Sequence, residues 1–313
     1  MEIILSICFP TYNRGWCLEE QIKRLKDLPK ELNDKIEIII SDNCSTDNTQ
    51  CIVEDAIKEG FRCSYYRNSE NLGMDGNFVS CFKKAKGKYV WLLGDDDIIL
   101  IDSLHMILNY LESDDFGLLH LFQKKNESNN QEAAEIITDK DEFCKKMSYF
   151  STFISANIVR TCYVPEIDFE RYMGTWFTLM PLYIRAIDMQ PQNAIAYFKV
   201  FEQDKDSSRN GGYNIFKVFI TNYLNIWKEA RKGGVINNTT YSYIKKDVFD
   251  EKIVSAIIDF LVFHKSSNFK TDGAWIIIFK NYGTNYYLYT SLLKRAVSYV
   301  WHKISKYFKT KTK

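Results

Sequence analysis

Ile3-Ile4-Leu5-Ser6-Ile7-Cys8-Phe9 opens the chain as a nearly unbroken apolar run, and Pro10-Thr11-Tyr12-Asn13-Arg14 follows at once. A run that is apolar on both alternating faces suits a strand covered on its two sides, as in a parallel sheet. Pro10 is expected to end it, because proline brings no N–H to a ladder. Working outward, the hydrophobic period switches between helix and strand. Trp16, Leu18, Ile22, Leu25 and Leu28 keep helical spacing, and Ile36 to Ile40 reads as a second buried strand. Cys51, Ile52, Val53, Ala56 and Ile57 are helical again, and Cys63 to Tyr66 is a short third strand. Phe78, Val79, Phe82 and Ala85 form the next helix face before the fourth strand, Lys88 to Leu93. This alternation predicts an α/β fold, a mainly parallel, doubly wound sheet flanked by helices.

Such sheets bind ligands beyond the carboxyl ends of their strands. Those ends carry Thr11-Tyr12-Asn13-Arg14, Ser41-Asp42-Asn43, Arg67-Asn68 and Gly94-Asp95-Asp96-Asp97. Four polar ends on one rim predict one composite site, although turn-forming and helix-capping roles account for such residues equally well one at a time. Three adjacent carboxylates repel one another, and a divalent cation relieves that repulsion. Asp97 has two readings, a third ligand or the cap of a following helix.

The 313 residues are 46% hydrophobic and 26% charged, as in an ordinary globular protein. The net charge of +1 hides an asymmetry: no Asp or Glu follows Asp272, while eight of the 41 basic residues do. The remainder carries 33 basic against 40 acidic residues, which argues against a nucleic-acid partner. The eight cysteines form no CxxC pair and no zinc spacing. No signal peptide and no spanning segment is expected, which points to a cytoplasmic protein. His105 and His120 read as structural. Neither GxGxxG after the first strand nor GxxxxGK[ST] is present, so a dinucleotide site and a P-loop are excluded.

Further on, Leu104, Ile107, Leu108 and Leu111 make a helix face, Phe116 to Phe122 a strand, and Lys124 to Glu135 an exposed loop. Phe153 to Val159 reads as another strand and Gln203 to Gly212 as a hinge. Ile215 to Trp227, Val248 to Phe263 and Tyr287 to Phe308 read as helices.

Ser6 to Arg14, Ile39-Ile40-Ser41-Asp42-Asn43-Cys44-Ser45-Thr46-Asp47-Asn48-Thr49, Asn71-Leu72-Gly73 and Gly87 to Asp97 together resemble the family 2 glycosyltransferases. Within that family the wording is similar to the abequosyltransferase-like branch of bacterial surface-glycan assembly enzymes. The resemblance is close over the first third and loose from about Phe153 to Phe177. It implies a GT-A glycosyltransferase domain over 1–210, followed by a C-terminal helical region over 211–313. Thr11, Tyr12 and Arg14 would border the nucleoside, Asp42 would accept from the base edge, and Asn71 and Gly73 would form the turn beside the ribose or diphosphate. Asp95, Asp96 and Asp97 would supply the metal-binding motif for Mn2+ or Mg2+, with Asp95 also facing the nucleotide-sugar.

Family members also carry an acidic pair that serves as base for the acceptor hydroxyl. Gly174-Thr175-Trp176-Phe177 stands in its place without a carboxylate. Glu166, Asp168 and Glu170 upstream and Glu202, Asp204 and Asp206 downstream are the candidates nearby, of which Asp168 and Glu202 are chosen for that role. Leu293, Val297, Val300, Ile304 and Phe308 form an apolar stripe opposite Arg295, Lys303, Lys306 and Lys309. A basic amphipathic helix over 290–313 suits an anionic membrane surface, and a helix packed on its own domain suits the pattern as well. The resemblance thus implies transfer of a hexose or deoxyhexose from a nucleotide-sugar donor to a hydroxyl of a glycan acceptor, lipid-linked at the inner face of the membrane. The rival readings are a degenerate domain kept for binding or assembly, and a sugar nucleotidyltransferase. The latter lacks the glycine-rich opening it would need.

Overall fold

The computed structural model describes residues 2–122, 134–203, 212–295 and 297, and of Glu202 and Gln203 only the backbone. The first half follows the alternation read from the sequence. It runs β1 (Leu5–Thr11), α1 (Gly15–Leu25), α2 (Lys30–Asn33), β2 (Ile36–Asp42), α3 (Thr49–Lys58), β3 (Ser64–Arg67), α4 (Gly73–Lys84) and β4 (Tyr89–Leu92). These four strands are parallel, with Leu5 opposite Ile36 and Thr11 opposite Asp42, so the tips of β1 and β2 end level.

β1 does not stop at Pro10. Cys8 O accepts from Leu93 on the β4 side, whereas Thr11 O accepts from Asn43 on the β2 side. Pro10 shares the parity of Cys8, and β4 pairs with β1 no further than Cys8. The missing N–H therefore falls where no partner strand remains.

Side chains divide by alternation. Leu5, Ile7, Phe9, Tyr89 and Trp91 face the layer holding Leu18 and Ile22 of α1 and, from the helix α5 (Ile101–Ser113), Leu104 and Ile107. Cys8, Ile39, Val90 and Leu92 face the other layer, with Val79 and Phe82 of α4. Burial of each such large side chain is worth about 1.5–3 kcal/mol.

Beyond β4 the sheet turns mixed. Its order is β3-β2-β1-β4-β8-β6-β9-β7, where β6 is Leu118–Leu121, β7 Ala134–Ile137, β8 Asn157–Arg160 and β9 Asn193–Ala196. β8 is antiparallel to both neighbours. The strand expected over Phe153 to Val159 begins only at Asn157, because two 3-10 turns, Ser148–Thr152 and Ile154–Ala156, precede it. Asn157 Nδ2 donates to Ser151 O and Phe153 O and holds those turns closed. Of the loop expected over Lys124 to Glu135, residues 124–133 lie outside the described residues, and the last two begin the strand Ala134–Ile137. A two-stranded ribbon pairs β5 (Asp97–Ile99) antiparallel with β10 (Phe201–Gln203).

Helices α6 (Lys140–Met147), α7 (Met180–Met189), α8 (Leu224–Lys232), α9 (Asn238–Val248), α10 (Val254–Ala256) and α11 (Ala274–Tyr282) complete the structure, with residues 286–295 also helical. Where single long helices were expected, π-helical stretches at Lys217–Tyr223, Phe249–Ile253 and Ile257–Val262 interrupt the α pattern. The 210/211 boundary and most of the expected hinge fall in 204–211, outside the described residues. The core runs across that boundary: Phe143 and Met147 of α6 belong to one cluster with Tyr223, Trp227 of α8 and Ile244 of α9. Among the described residues no helix is long and apolar enough to cross a membrane.

Candidate active site

The level tips of β1 and β2 and the turn after β4 bring four of the residues singled out from the sequence into direct contact. Thr11 Oγ1 donates to Asp95 Oδ2 at 2.9 Å. Arg14 spans two carboxylates, with one terminal nitrogen 2.7 Å from Asp95 Oδ1 and the other 2.8 Å from Asp96 Oδ2. The planar fork of arginine suits such a bridge. Arg14, expected at the nucleoside, thus holds the acidic cluster and carries part of the charge that sequence reasoning left to a metal. Burial alone would weaken its basicity, but Asp95 and Asp96 outweigh that and raise it.

The three carboxylates differ in environment. Asp95 is buried, which pushes it up to about 6 against the pull of Arg14, with Asp96 adding to the rise. Asp97 is buried too and is pushed up to about 7; the hydrogen bond from Ser155 opposes the shift, and Asp96 and Asp95 add to it. Asp96 alone reaches solvent, its side chain 43% exposed. Asp97 does not cap a helix: it begins β5, and α5 starts only at Ile101.

Gly94 makes room for this arrangement. A Cβ there would meet Asp96 Oδ1 and Asp97 Oδ2, each at 3.0 Å, and Ser155 Oγ at 3.4 Å. Two carboxylates fold over a residue where an added Cβ would push them aside by a few tenths of an ångström. Ser155, which sequence reasoning placed only within a strand, is the second organiser. Its Oγ donates to Asp97 Oδ2 at 2.5 Å and accepts from Gly94 N at 2.9 Å. Its carbonyl accepts from Nε1 of the fully buried Trp91 at 2.8 Å. No local signal marks this serine, because its partners lie some sixty positions away in the chain.

The neighbouring part of the rim is built on Asn43, read from the sequence only as part of the polar end of β2. Its Nδ2 donates to Asn71 Oδ1 at 2.8 Å and to Gly73 O at 3.1 Å, while its Oδ1 accepts from Leu72 N at 2.9 Å. Asn71 and Gly73 are brought together as expected of one turn, and Gly73 has φ +71°, the left-handed region open to glycine. Asn13, at φ +52°, accepts from Thr46 N at 2.7 Å and ties the first loop to the second. Tyr12 is exposed beside it. Asp42 departs from the expected role. It is fully buried, with Oδ1 accepting from Ser45 N at 2.8 Å and Oδ2 from the Tyr65 hydroxyl at 2.7 Å, and it presents no surface to a base edge.

The two candidate bases fall in different places. The backbone of Glu202 lies opposite Ile98, one residue from the acidic cluster. Asp168 is exposed ahead of a 3-10 turn, Phe169–Tyr172, and its charge is felt at Tyr172, which itself donates to Glu229 of α8. The Gly174–Phe177 stretch carries a strained residue instead of an acid: Trp176, exposed, has φ +73°.

His120 is structural, as its sequence position suggests. It is fully buried on β6, with Nδ1 2.9 Å from Asn157 Oδ1. Since Asn157 Nδ2 donates to two carbonyls, its Oδ1 is the acceptor and Nδ1 carries the proton. Burial lowers this imidazole to about 4, the Asn157 bond opposing. A histidine depressed below its unfolded value is stabilising when neutral, so stability falls as pH drops from about 6.5 toward 4. Between pH 7 and pH 5 this group is expected to remove about 2 kcal/mol. Urea unfolding of the wild type and His120→Gln at both pH values should show that much more acid loss in the wild type; equal losses would remove the assignment.

Residues 6–162, half of the chain, match the family described as Glycosyl transferase family 2, and the chain belongs to that family. Abequosyltransferase RfbV of Salmonella typhimurium is 32% identical over 55% of this chain, a match that spans 58% of that relative's length. The GalNAc(5)-diNAcBac-PP-undecaprenol beta-1,3-glucosyltransferase of Campylobacter jejuni is 25% identical over 72% of this chain and 73% of its own. The fold is GT-A. Residues 1–349 of S. aureus TarS superpose with a TM-score of 0.61 at 18% identity, over 82% of this chain and 74% of that fragment. Mannosyltransferase PcManGT from Pyrobaculum calidifontis gives 0.51 at 15%, over 97% and 88%.

Proposed function

We propose that this protein is a metal-dependent glycosyltransferase that moves a hexose or deoxyhexose from a nucleoside-diphosphate sugar to a hydroxyl of a glycan, carried on a lipid, in bacterial surface-glycan assembly. The observation that carries the reading is the Gly94 cradle, where Asp96 and Asp97 converge beside an Asp95 already bound by Thr11 and Arg14. Relatives point the same way: structures of TarS are in complex with UDP and with UDP-GlcNAc, and that of PcManGT with GDP-Man and Mn2+.

Among the described residues no three His, Cys, Asp or Glu side chains form a complete metal cage. The residues present nevertheless fit Mn2+ or Mg2+. Mg2+ is commonly held by one or two carboxylates and completed by water and substrate phosphates. Asp96 is the solvent-facing ligand in this proposal, with Asp95 and Asp97 behind it. A bound metal would neutralise charge on the departing diphosphate. Thr11 and Arg14 fix the orientation of Asp95, and Ser155 fixes Asp97, so the carboxylates need no reorganisation when charge develops. Asn43 holds the Asn71–Gly73 turn against the donor, and Asp42 orders Ser45 and Tyr65 behind the nucleoside pocket that Tyr12 flanks. Glu202 is the proposed base, on the strength of its place beside the cluster, with Asp168 the second candidate. The 290–313 segment, of which 296 and 298–313 lie outside the described residues, is proposed to rest on the inner membrane face near the lipid-linked acceptor.

Release of nucleoside diphosphate from UDP-, GDP-, CDP- and dTDP-sugars, with and without Mn2+, tests the reading. One donor turned over only with metal is expected; turnover of none, with no thermal shift from any, would overturn it. The carboxylate-free Gly174–Phe177 stretch favours a second reading, a domain that binds donor without turnover. Tight donor binding with no product, whatever the acceptor, would select it. Gly94→Ala is expected to lower turnover about tenfold or more, because displacing the two carboxylates even slightly misplaces the charge they hold. The melting temperature should barely move; unchanged kinetics would show that the cradle is not used.

A further inference from the structure

We infer that the outer face of α11 and of the helix at 286–295 is a docking surface for an anionic lipid bilayer. The inference deepens the proposed function, resting on it only for the lipid-linked acceptor, and it extends the 290–313 surface to Trp275, Ile276, Phe279, Lys280, Tyr286 and Tyr289, which precede it. Trp275, Ile276 and Phe279 are exposed on α11, while Ala274, Ile278 and Tyr282 of the same helix are buried. Tyr286, Tyr289 and Leu293 are exposed on the next helix, at i, i+3 and i+7, while Tyr287 and Leu288 are buried. Ile276 and Tyr286 show three quarters of their surface to solvent. Both helices are thus anchored by an inner face and, among the described residues, carry a second apolar face that is largely exposed. So much apolar surface on neighbouring elements is uncommon on a monomeric protein and marks an interaction site.

Charge selects the occupant. Lys280, Lys294 and Arg295 are exposed among these apolar residues. No carboxylate follows Asp272, so nothing in either helix repels an anionic surface or offers a partner to a basic one. Trp275 lies against Phe279, ring centroids 5.8 Å apart. Tryptophan and tyrosine, each an apolar body with a polar tip, belong at the headgroup boundary, with lysine and arginine reaching the anionic lipids. A protein partner with an acidic surface would match the charge alone; the density of aromatic and aliphatic groups between the cations favours a bilayer.

The test is flotation of the full chain with vesicles of phosphatidylglycerol and phosphatidylcholine, against phosphatidylcholine alone, with no donor present. Binding to the anionic vesicles is expected, weakened about tenfold or more by Trp275→Ser with Phe279→Ser and by Lys280→Glu with Lys294→Glu, the latter also reducing its salt dependence. Tryptophan emission should shift to the blue with vesicles in the wild type, and less so in Trp275→Phe. Three results would overturn the inference: no binding by the wild type, binding unchanged in both variants, or a wild-type dimer in solution that the serine variant converts to a monomer. Nucleotide release by the same samples separates the two proposals. Vesicle binding without donor turnover sinks the enzyme reading and leaves this one standing, and turnover without vesicle binding does the reverse.

Discussion

Asp96→Ala is expected to lower kcat about 1,000-fold in the presence of Mn2+ while leaving the fold intact. The size follows from the role: a carboxylate holding the ion that neutralises a departing diphosphate acts most in the transition state, where the charge is greatest. The intact fold follows from position. Asp96 is half exposed and its recorded bond is to Arg14, which keeps Asp95 as a partner, so the loss resembles that of a surface ion pair, under about 1 kcal/mol. Mn2+ affinity, read by calorimetry in the presence of nucleoside diphosphate, should fall in parallel. Activity within a few-fold of wild type would remove the metal assignment. Asp95→Ala is the wrong variant for this purpose, because it strips Thr11 and Arg14 of a buried partner and mixes stability with chemistry.

Glu202→Gln is expected to lower kcat by about 100- to 10,000-fold, with KM for the donor nearly unchanged. Removing a base slows deprotonation of the acceptor hydroxyl without touching nucleotide contacts, so the split between kcat and KM carries the diagnosis. The acid limb of the kcat profile should vanish with it. Asp168→Asn is the matched control. A loss confined to Asp168→Asn would move the base to the turn before Phe169, and no loss in either would place it elsewhere.

The parallel half of the sheet was legible because its strands are covered on both faces, so β1, β2 and β4 read as largely apolar runs with polar ends, interrupted only at Ser6 and Glu37. Thr11, Arg14 and the acidic cluster were legible for the same reason: whatever ends a buried parallel strand lies on the binding rim. What escaped was set by distant partners. Ser155 meets Gly94 and Asp97, and Asn43 meets Asn71 and Gly73, through bonds that no local period announces. β5 and β10 are three residues each, too short to show alternation, and their pairing is what brings Glu202 beside Ile98. A carboxylate at a strand tip looks available in the sequence, whereas Asp42 is fully buried with Ser45 and Tyr65 bonded to its two oxygens.

The continuous core has a practical side. A chain cut at residue 210 would keep every residue of the proposed site and still forfeit it. Tyr223 donates to Ser148 O at 2.7 Å, in the turn that leads to Ser155, and Trp227 and Ile244 lie in the same cluster as Phe143 and Met147. Without them the inner faces of α6 and α7 would stand bare in water, and the fragment would clump before it could bind a sugar nucleotide. The helices after residue 211 are the other half of the wall against which the rim of the proposed site is built.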